Sequence, residues 1–176
     1  MQIDIAQPRL VDLLFIAHRL RASDLDELGL TRDLEHSGGR TRLATDAWAS
    51  HYRRVAYLKL DDSDREPVFA FGVNLDKARP RYGQAWGFGT DHSPRVLREV
   101  TRYLRKRMIP ELLGEGLQAV QALGDPVNSL SARWLGHLGF APIANLAGIG
   151  AGGHDLTLWV TTADAQRHQS LAPAGR

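Results

Sequence analysis

The sequence carries a run of basic residues between positions 95 and 107. Six positive charges fall in this run, and Glu99 is its only negative residue. Four of the arginines recur at spacings of three or four: Arg95, Arg98, Arg102 and Arg105. Residues with this spacing lie near one face of a helix, and guanidinium groups bind carboxylates and phosphates in a planar, bidentate way. The four arginines are therefore a candidate surface for nucleic acid, an acidic partner or another anion, and a solvated helix face is the alternative.

Several other kinds of chemistry lack the residues that they require. The chain has no cysteine, which excludes disulfides, cysteine-bound metals and thiol nucleophiles. Its seven histidines show neither an HExxH motif nor another short paired spacing, so we predict no metal site. The Gly-x-Ser-x-Gly turn of many hydrolases is absent from the sequence as well.

Length and composition predict one globular domain to position these residues. The chain has 176 residues, of which 43% are hydrophobic and 24% charged, with a net charge of +2. A domain usually takes ~100–200 residues. We predict a single domain at residues 1–162 and a polar C-terminal tail at residues 163–176. The longest apolar run, residues 13–17, is much shorter than the ~20 residues that span a bilayer, so we expect no membrane span.

Hydrophobic periodicity predicts the order strand, helix pair, three strands, helix, strand, helix and hairpin, an α/β fold class. The predicted strands are residues 2–6, 55–60, 67–75, 82–89, 117–123, 140–146 and 155–161. The predicted helices begin near Leu10, Ser23, Ser93 and Asn128, with Ser23 and Asn128 as capping residues. Pro110 is expected to end or kink the third helix. Residues 31–47 are predicted as a loop, with one short helix around residues 45–52.

The segment at residues 128–140, NSLSARWLGHLGF, carries the most specific motif. With the order of elements, it resembles the Gcn5-related N-acetyltransferases, or GNAT proteins. Typical members have Asn, a small residue three positions on, Tyr seven on, and Gly-Phe at eleven and twelve. Four of these positions are in register: Asn128, Ser131, Gly139 and Phe140. The resemblance implies a central, twisted, mostly antiparallel sheet of about seven strands, with one helix-linked parallel pair and helices on both faces.

Two departures from the family pattern bear on its chemistry. Leu135 stands where the family has a Tyr that acts as general acid toward the departing thiolate, so no catalytic residue is predicted there. The family's phosphate-binding turn corresponds to residues 89–94, where Asp91 adds a negative charge and Pro94 removes an amide donor. We therefore predict that the chain binds no cofactor, with acetyl-CoA as the alternative. If an acyl-CoA cleft persists, the implied binding residues are Gly89, Thr90, Asp91, Ser93 and Asn128.

Three residues are of interest near the cleft that the resemblance implies. Glu66 and Asp91 are the nearest carboxylates, and either is a candidate base in an active enzyme, although Glu66 is assigned by preference to a hairpin turn. Trp86 lies on the strand that lines the implied cleft, whereas a core role is expected for most of the other tryptophans.

A narrower resemblance links the chain to GNAT-like proteins of short-tailed bacteriophages, including the internal virion protein A family. It rests on an Arg-x-x-Asp-x-x-Glu pattern, an aromatic strand that ends in Thr-Asp, and Leu at the Tyr position. The matching residues are Arg21, Asp24, Glu27, Trp86, Phe88, Thr90, Asp91 and Leu135. The resemblance implies a virion-associated or accessory phage protein that has lost acetyl transfer, with other virion proteins or a host protein as partners.

The implied location is the host cytoplasm or the virion. Two alternatives remain open at the level of sequence. One is a divergent acetyl-CoA-dependent N-acetyltransferase that acts on an amine. The other, weaker alternative is a DNA- or RNA-associated domain that uses the arginine helix, and steep salt dependence of binding would be its signature.

Overall fold

A seven-stranded sheet lies at the centre of the protein, in a computed structural model that describes residues 2–31, 33–34, 38–61 and 64–166. Its strands are β1 (Gln2–Ala6), β2 (Tyr52–Lys59), β3 (Arg65–Leu75), β4 (Tyr82–Gly89), β5 (Ala119–Gly124), β6 (Ala141–Leu146) and β7 (Leu156–Thr162). Their order across the sheet is β1-β2-β3-β4-β5-β7-β6. β4 and β5 pair in parallel, and the other neighbours pair antiparallel. The predicted fold class, with its one parallel pair, is confirmed.

Helices pack on both faces of this sheet. They are α1 (Leu10–Ala17), α2 (Ala22–Gly29), α3 (Gly39–Trp48), α4 (Leu97–Tyr103), α5 (Ile109–Gly114) and α6 (Ser129–His137). Side chains of β3 alternate between the faces, as a strand requires. Phe69 and Phe71 join a core cluster with α4, α5 and α6, whereas Ala70 joins a second cluster with α1 and α3. The sheet therefore separates two hydrophobic cores.

The crossover between the parallel strands β4 and β5 positions the candidate site. Parallel neighbours need a long connection, which here runs through a 3-10 turn (Ser93–Arg95), α4, a π-helical segment (Leu104–Met108) and α5. The two strands pair at only three positions, the last of which joins Gln84 to Gln121. β4 continues to Gly89 along β3, so the two strands separate beyond Gln84.

Pro110 does not end the helical segment, because the chain remains helical to Gly114. A proline ring clashes with the carbonyl four residues earlier in a regular α-helix. Here the π-helical turn at Leu104–Met108 widens the backbone before Pro110, which lies in the first turn of α5. The alternative in which the helix ends at Pro110 is wrong, because it treated the helix as regular.

The segment predicted as a loop at residues 31–47 contains most of α3. This helix begins at Gly39, after Gly38 with a left-handed φ of 88°, and it buries Leu43, Ala44 and Ala47. The short helix expected at residues 45–52 was therefore placed too late. The polar composition concealed the helix because only one narrow face of it is buried.

The start of α2 differs from prediction as well. Arg21, not Ser23, is the residue before the helix, and its side chain pairs with Asp24. Its backbone N–H donates to the Gly89 carbonyl at 3.0 Å, a long-range bond that fixes where the helix begins. By contrast, Asn128 caps α6 as predicted, since its Oδ1 accepts the Ser131 N–H at 3.0 Å.

The predicted C-terminal tail begins in contact with the domain. Gln166 Nε2 donates to the Leu138 carbonyl at 2.9 Å and to Thr161 Oγ1 at 2.8 Å. Ala163 packs against the core cluster that contains α6. Residues 167–176 of the predicted tail lie outside the described residues, and the domain boundary at residue 162 stays a prediction.

Candidate active site

The gap between residues 85–89 of β4 and residues 122–124 of β5 is called the splay here. At the end of β4, the Gly89 N–H donates away from β3, to Asp24 Oδ2 at 2.7 Å. The N–H of the next residue, Thr90, donates in the opposite direction, to the Val68 carbonyl of β3 at 2.9 Å. Backbone groups of successive strand residues point to opposite edges. Gly87 therefore directs its N–H and C=O away from β3 and into the splay.

A cavity of about 450 Å³ occupies the splay and extends between α4 and α6. Apolar side chains form most of its wall, including Phe69, Ala85, Leu97, Met108, Val120 and Leu135. Polar side chains line it where α2 and the start of α6 meet it: Asp24, Glu27, Asn128 and Ser131. A mostly apolar cavity with a few convergent polar groups is typical of a small-molecule site.

Asp24 ties α2 to the end of β4. Its carboxylate accepts the Gly89 N–H at 2.7 Å and the Arg21 Nε–H at 2.6 Å, and its side chain is buried. Burial raises the pKa of Asp24, while the charge and hydrogen bond of Arg21 oppose that rise. The buried carboxylate is thus hydrogen-bonded on both oxygens, which a buried charge requires.

Glu27 ties α2 to the start of α6. Its Oε1 accepts the Ser131 hydroxyl at 3.0 Å, and its Oε2 accepts the Asn128 Nδ2–H at 3.1 Å. Burial raises the pKa of Glu27, and the hydrogen bond from Ser131 works against that rise. One turn of α2 thus places Asp24 on the β4 side of the splay and Glu27 on the α6 side, so α2 bridges the gap.

Three amides of the predicted phosphate-binding turn form hydrogen bonds within the protein. The Thr90 N–H bonds to Val68, and the Ser93 N–H donates to the Thr90 carbonyl at 2.9 Å. The buried Ser93 hydroxyl donates to the Val68 carbonyl at 3.0 Å and to the Thr90 carbonyl at 2.6 Å. With the Gly89 N–H bound to Asp24, three of the predicted amide donors already have partners inside the fold.

The two carboxylates proposed from sequence lie away from the cavity wall. Glu66 belongs to β3 rather than to the preceding turn, and its Oε1 lies 3.1 Å from Nδ1 of His92. Asp91 is exposed on the surface. Asn128, the remaining predicted binding residue, does line the cavity, at the start of α6. The structure therefore separates Asp91 from the polar groups that α2 and α6 bring together.

Leu135 and Trp86 both line the cavity. Leu135, at the position of the family Tyr, is buried and adds an apolar surface with no proton to donate. Trp86 stacks against Phe88 and its Nε1–H donates to Ser50 Oγ at 2.8 Å, so its polar edge faces away from the splay, toward the loop before β2. Trp86 thus lies in the cavity wall, on the strand where the resemblance implied a cleft.

The four predicted arginines are all exposed. Arg95 lies in the 3-10 turn, Arg98 and Arg102 lie on α4, and Arg105 lies in the π-helical segment. Arg102 forms an ion pair with Glu99 one turn earlier. The basic run therefore covers the solvent side of the crossover helix whose other side closes the cavity.

The described residues contain neither a membrane-spanning helix nor a metal-binding cluster. None of the helices described is long and apolar enough to cross a membrane. Within the same residues, no three His, Asp or Glu side chains gather closely enough to hold a metal ion.

The sequence matches no protein-family model and no curated protein, but solved structures resemble the fold. The aminoglycoside acetyltransferase AAC(6')-Ib, in complex with ribostamycin and coenzyme A, has a TM-score of 0.70 at 13% identity, over 99% of this chain and 100% of that chain. The yncA protein from Salmonella typhimurium, with its cofactor acetyl-CoA, has a TM-score of 0.66 at 14% identity, over 92% and 94%. The chain has the GNAT fold.

A third similar structure is the ribosomal-protein-S18-alanine N-acetyltransferase from Escherichia coli, with a TM-score of 0.62 at 11% identity, over 92% of this chain and 94% of that chain. The prediction that the chain takes no cofactor is wrong in the light of these GNAT structures, since two of them hold coenzyme A or acetyl-CoA. The preference for a protein without acetyl transfer gains no support from them. The phage assignment, the partners and the location stay predictions.

The pairing of Glu27 with Ser131 is the part of the site that sequence analysis missed. The two residues lie 104 positions apart, and their hydrogen bond depends on how α2 crosses the splay. One signal was present: Asp24 and Glu27 are three residues apart, so they share a helix face. Nothing in the sequence indicated which elements that face would contact.

Proposed function

We propose that this GNAT-fold protein is an N-acyltransferase that moves an acyl group from an acyl-CoA thioester to an amine. The observation that carries the proposal is the splay, where a mostly apolar cavity of about 450 Å³ opens beside the part of β4 that does not pair with β5. The similar structures that hold coenzyme A or acetyl-CoA support it. When bound, the donor supplies an activated acyl carbonyl, and the chain supplies the remaining groups.

The residues of the splay fit the acyl and pantetheine part of such a donor. The Gly87 N–H points into the cavity, where it is a donor for the thioester carbonyl as negative charge develops on its oxygen. A Cβ at Gly87 would lie 3.1 Å from Cζ of Phe69, another residue of the cavity wall, so a larger residue would crowd the wall at this point. The nucleotide end has fewer backbone donors, because three amides of the turn at residues 89–94 already form hydrogen bonds within the protein. Arg95 and Arg98 are exposed beside this turn.

Glu27 is the proposed base, and Ser131 is the proposed proton donor in place of the missing Tyr. As the amine nitrogen bonds to the acyl carbon, Glu27 accepts the proton that the nitrogen loses. As the carbon–sulfur bond breaks, the Ser131 hydroxyl donates its proton to the sulfur and recovers one from Glu27, to which it is bonded at 3.0 Å. The proton count is balanced over the cycle, and no proton is drawn from solvent.

Calorimetric titration with acetyl-CoA tests the proposal. We expect one-to-one binding, and we expect Ala85→Leu to weaken it at least tenfold, because the larger side chain fills the splay. Ala78→Leu, in the exposed turn between β3 and β4, is the matched control and should bind within twofold of the wild type. A thiol-release assay across a panel of amines then identifies the acceptor. No binding of acetyl-CoA at millimolar concentration would overturn the proposal.

A further inference from the structure

One surface of the molecule surrounds the contact between α4 and α6. Trp134 Nε1 on α6 donates to Thr101 Oγ1 on α4 at 2.8 Å. Arg98 and Arg105 lie about one turn before and after Thr101, and Leu130 lies one turn before Trp134. All three of these neighbours are exposed. We define Arg98, Arg105, Leu130 and the adjoining Val127 as the α4–α6 face.

This face is basic on one side and apolar on the other. Its α4 side belongs to the basic run from Arg95 to Arg107, which extends over ~18 Å of helix. On its α6 side, Leu130 is 69% exposed and Val127 is 84% exposed. Exposed apolar side chains beside a charged surface are typical of a protein-docking site.

The face also borders the cavity. Leu97 on α4 and Leu130 on α6 both line it, so the cavity reaches the surface between the two helices. Pro94, just before Arg95, is another exposed residue of the cavity wall. A partner seated on the α4–α6 face would therefore lie directly over the opening that leads to the splay.

We propose that the acyl donor is presented by an acidic carrier protein, which docks on the α4–α6 face and extends its acyl-phosphopantetheine arm into the splay. The inference rests on the acyl transfer proposed above and names the preferred form of the donor. The arm carries the same thioester as acyl-CoA and a single phosphate in place of the nucleotide. It therefore needs the cavity but not the amides of the turn at residues 89–94, three of which already form hydrogen bonds within the protein.

Two observations favour a protein over a nucleotide or a nucleic acid. The basic run is longer than the contact that one diphosphate can make, so most of its charges would have no phosphate to bind. Leu130 and Val127 are also exposed at the same face, and a phosphate backbone gains nothing by covering them. An acidic protein with an apolar contact surface buries these side chains and pairs with the arginines.

Binding measurements with three probes test the inference: the acetylated holo form of a bacterial acyl carrier protein, its apo form without the arm, and acetyl-CoA. At physiological salt, we expect the acetylated carrier to bind at least tenfold more tightly than either other probe. Arg105→Glu should weaken carrier binding at least tenfold and acetyl-CoA binding less than twofold, since Arg105 lies far along the helix from the turn. Lys77→Glu, in the exposed turn between β3 and β4, makes the same charge change and should alter the binding of neither ligand.

The outcomes separate this inference from the proposed function. If acetyl-CoA binds as tightly as the acetylated carrier, or if Arg105→Glu weakens the binding of both donors equally, the carrier inference is overturned. The proposed acyl transfer then still stands. If acetyl-CoA does not bind even at millimolar concentration, the proposed function fails, and the carrier inference that rests on it fails as well. If duplex DNA competes with the carrier in a steeply salt-dependent way, the face is a nucleic-acid surface and the carrier is overturned. If Ala85→Leu binds neither acetyl-CoA nor the acetylated carrier, and the wild type binds the carrier more tightly, the results support both the acyl transfer and the carrier.

Discussion

Glu27 ionises in surroundings that oppose its charge. Its carboxylate is partly buried against the cavity, which raises its pKa above the ordinary 4.5. The Ser131 hydroxyl and the Asn128 amide hold it in one orientation, with one oxygen on each partner. A base is most effective when its pKa approaches the working pH, so burial brings Glu27 closer to that condition than an exposed glutamate. Leu135, in contrast, contributes only an apolar surface to the wall of the cavity.

Glu27→Gln should lower kcat at least ~100-fold, because general acid–base catalysis contributes that much or more. The amide keeps the size of the side chain, so the Kd for acetyl-CoA should change less than twofold. In the wild type, kcat/KM should rise with pH as Glu27 loses its proton, with a midpoint above 4.5, and the variant should lose this limb. Asp26→Asn, on the exposed side of the same helix, is the control. An unchanged kcat in Glu27→Gln would leave Glu27 only a role in holding α6.

At the scale of elements, α2 holds the two sides of the splay together. It contacts β4 through Asp24 and α6 through Glu27, while β4 and β5 pair with each other at only three positions. Parallel strands that diverge lose the backbone hydrogen bonds that would otherwise join them. Here side-chain hydrogen bonds from α2 take their place. The position of α2 therefore determines the width of the cavity as well as its polar wall.

Removing the Asp24 carboxylate tests this role of α2. In Asp24→Ala, the buried Gly89 N–H loses its acceptor and Arg21 loses its ion pair, which should cost about 1–3 kcal/mol of the free energy of unfolding. Hydrogen exchange measured by NMR should show the Gly89 amide exchanging at least tenfold faster. Asp26→Ala on the same helix should leave that amide unchanged. Equal protection of Gly89 in Asp24→Ala and the wild type would contradict the bridging role.

Local patterns predicted most elements, but not the contacts between them. The Asn128 cap followed from the residue type at the start of a helical pattern, and the order of elements placed one helix between two neighbouring strands. That these two strands are parallel was implied by the resemblance to GNAT proteins. The π-helical turn before Pro110 did not follow from local patterns, because it depends on how the whole crossover packs on the sheet. The bond between Glu27 and Ser131 likewise follows only from the three-dimensional path of α2.

At the scale of the molecule, one sheet supports two hydrophobic cores. β3 contributes alternate side chains to both cores, so a loss of packing on either face should destabilise the strand that the two cores share. Leu13 of α1 and Leu112 of α5 offer a matched pair, since each is almost fully buried, one in each core. They are equal in size and chemistry, which leaves the face of the sheet as the difference between them.

Leu13→Ala and Leu112→Ala should each lower the free energy of unfolding by about 2–5 kcal/mol, the usual cost of a buried leucine that leaves a cavity. Because both cores share β3, unfolding should remain a single transition in each variant, followed by calorimetry and by circular dichroism. Val11→Ala, on the exposed side of α1, is the control and should change stability little, since Val11 is 57% exposed. Two separate transitions in either variant would show that the α1–α3 face unfolds independently of the face that closes the splay.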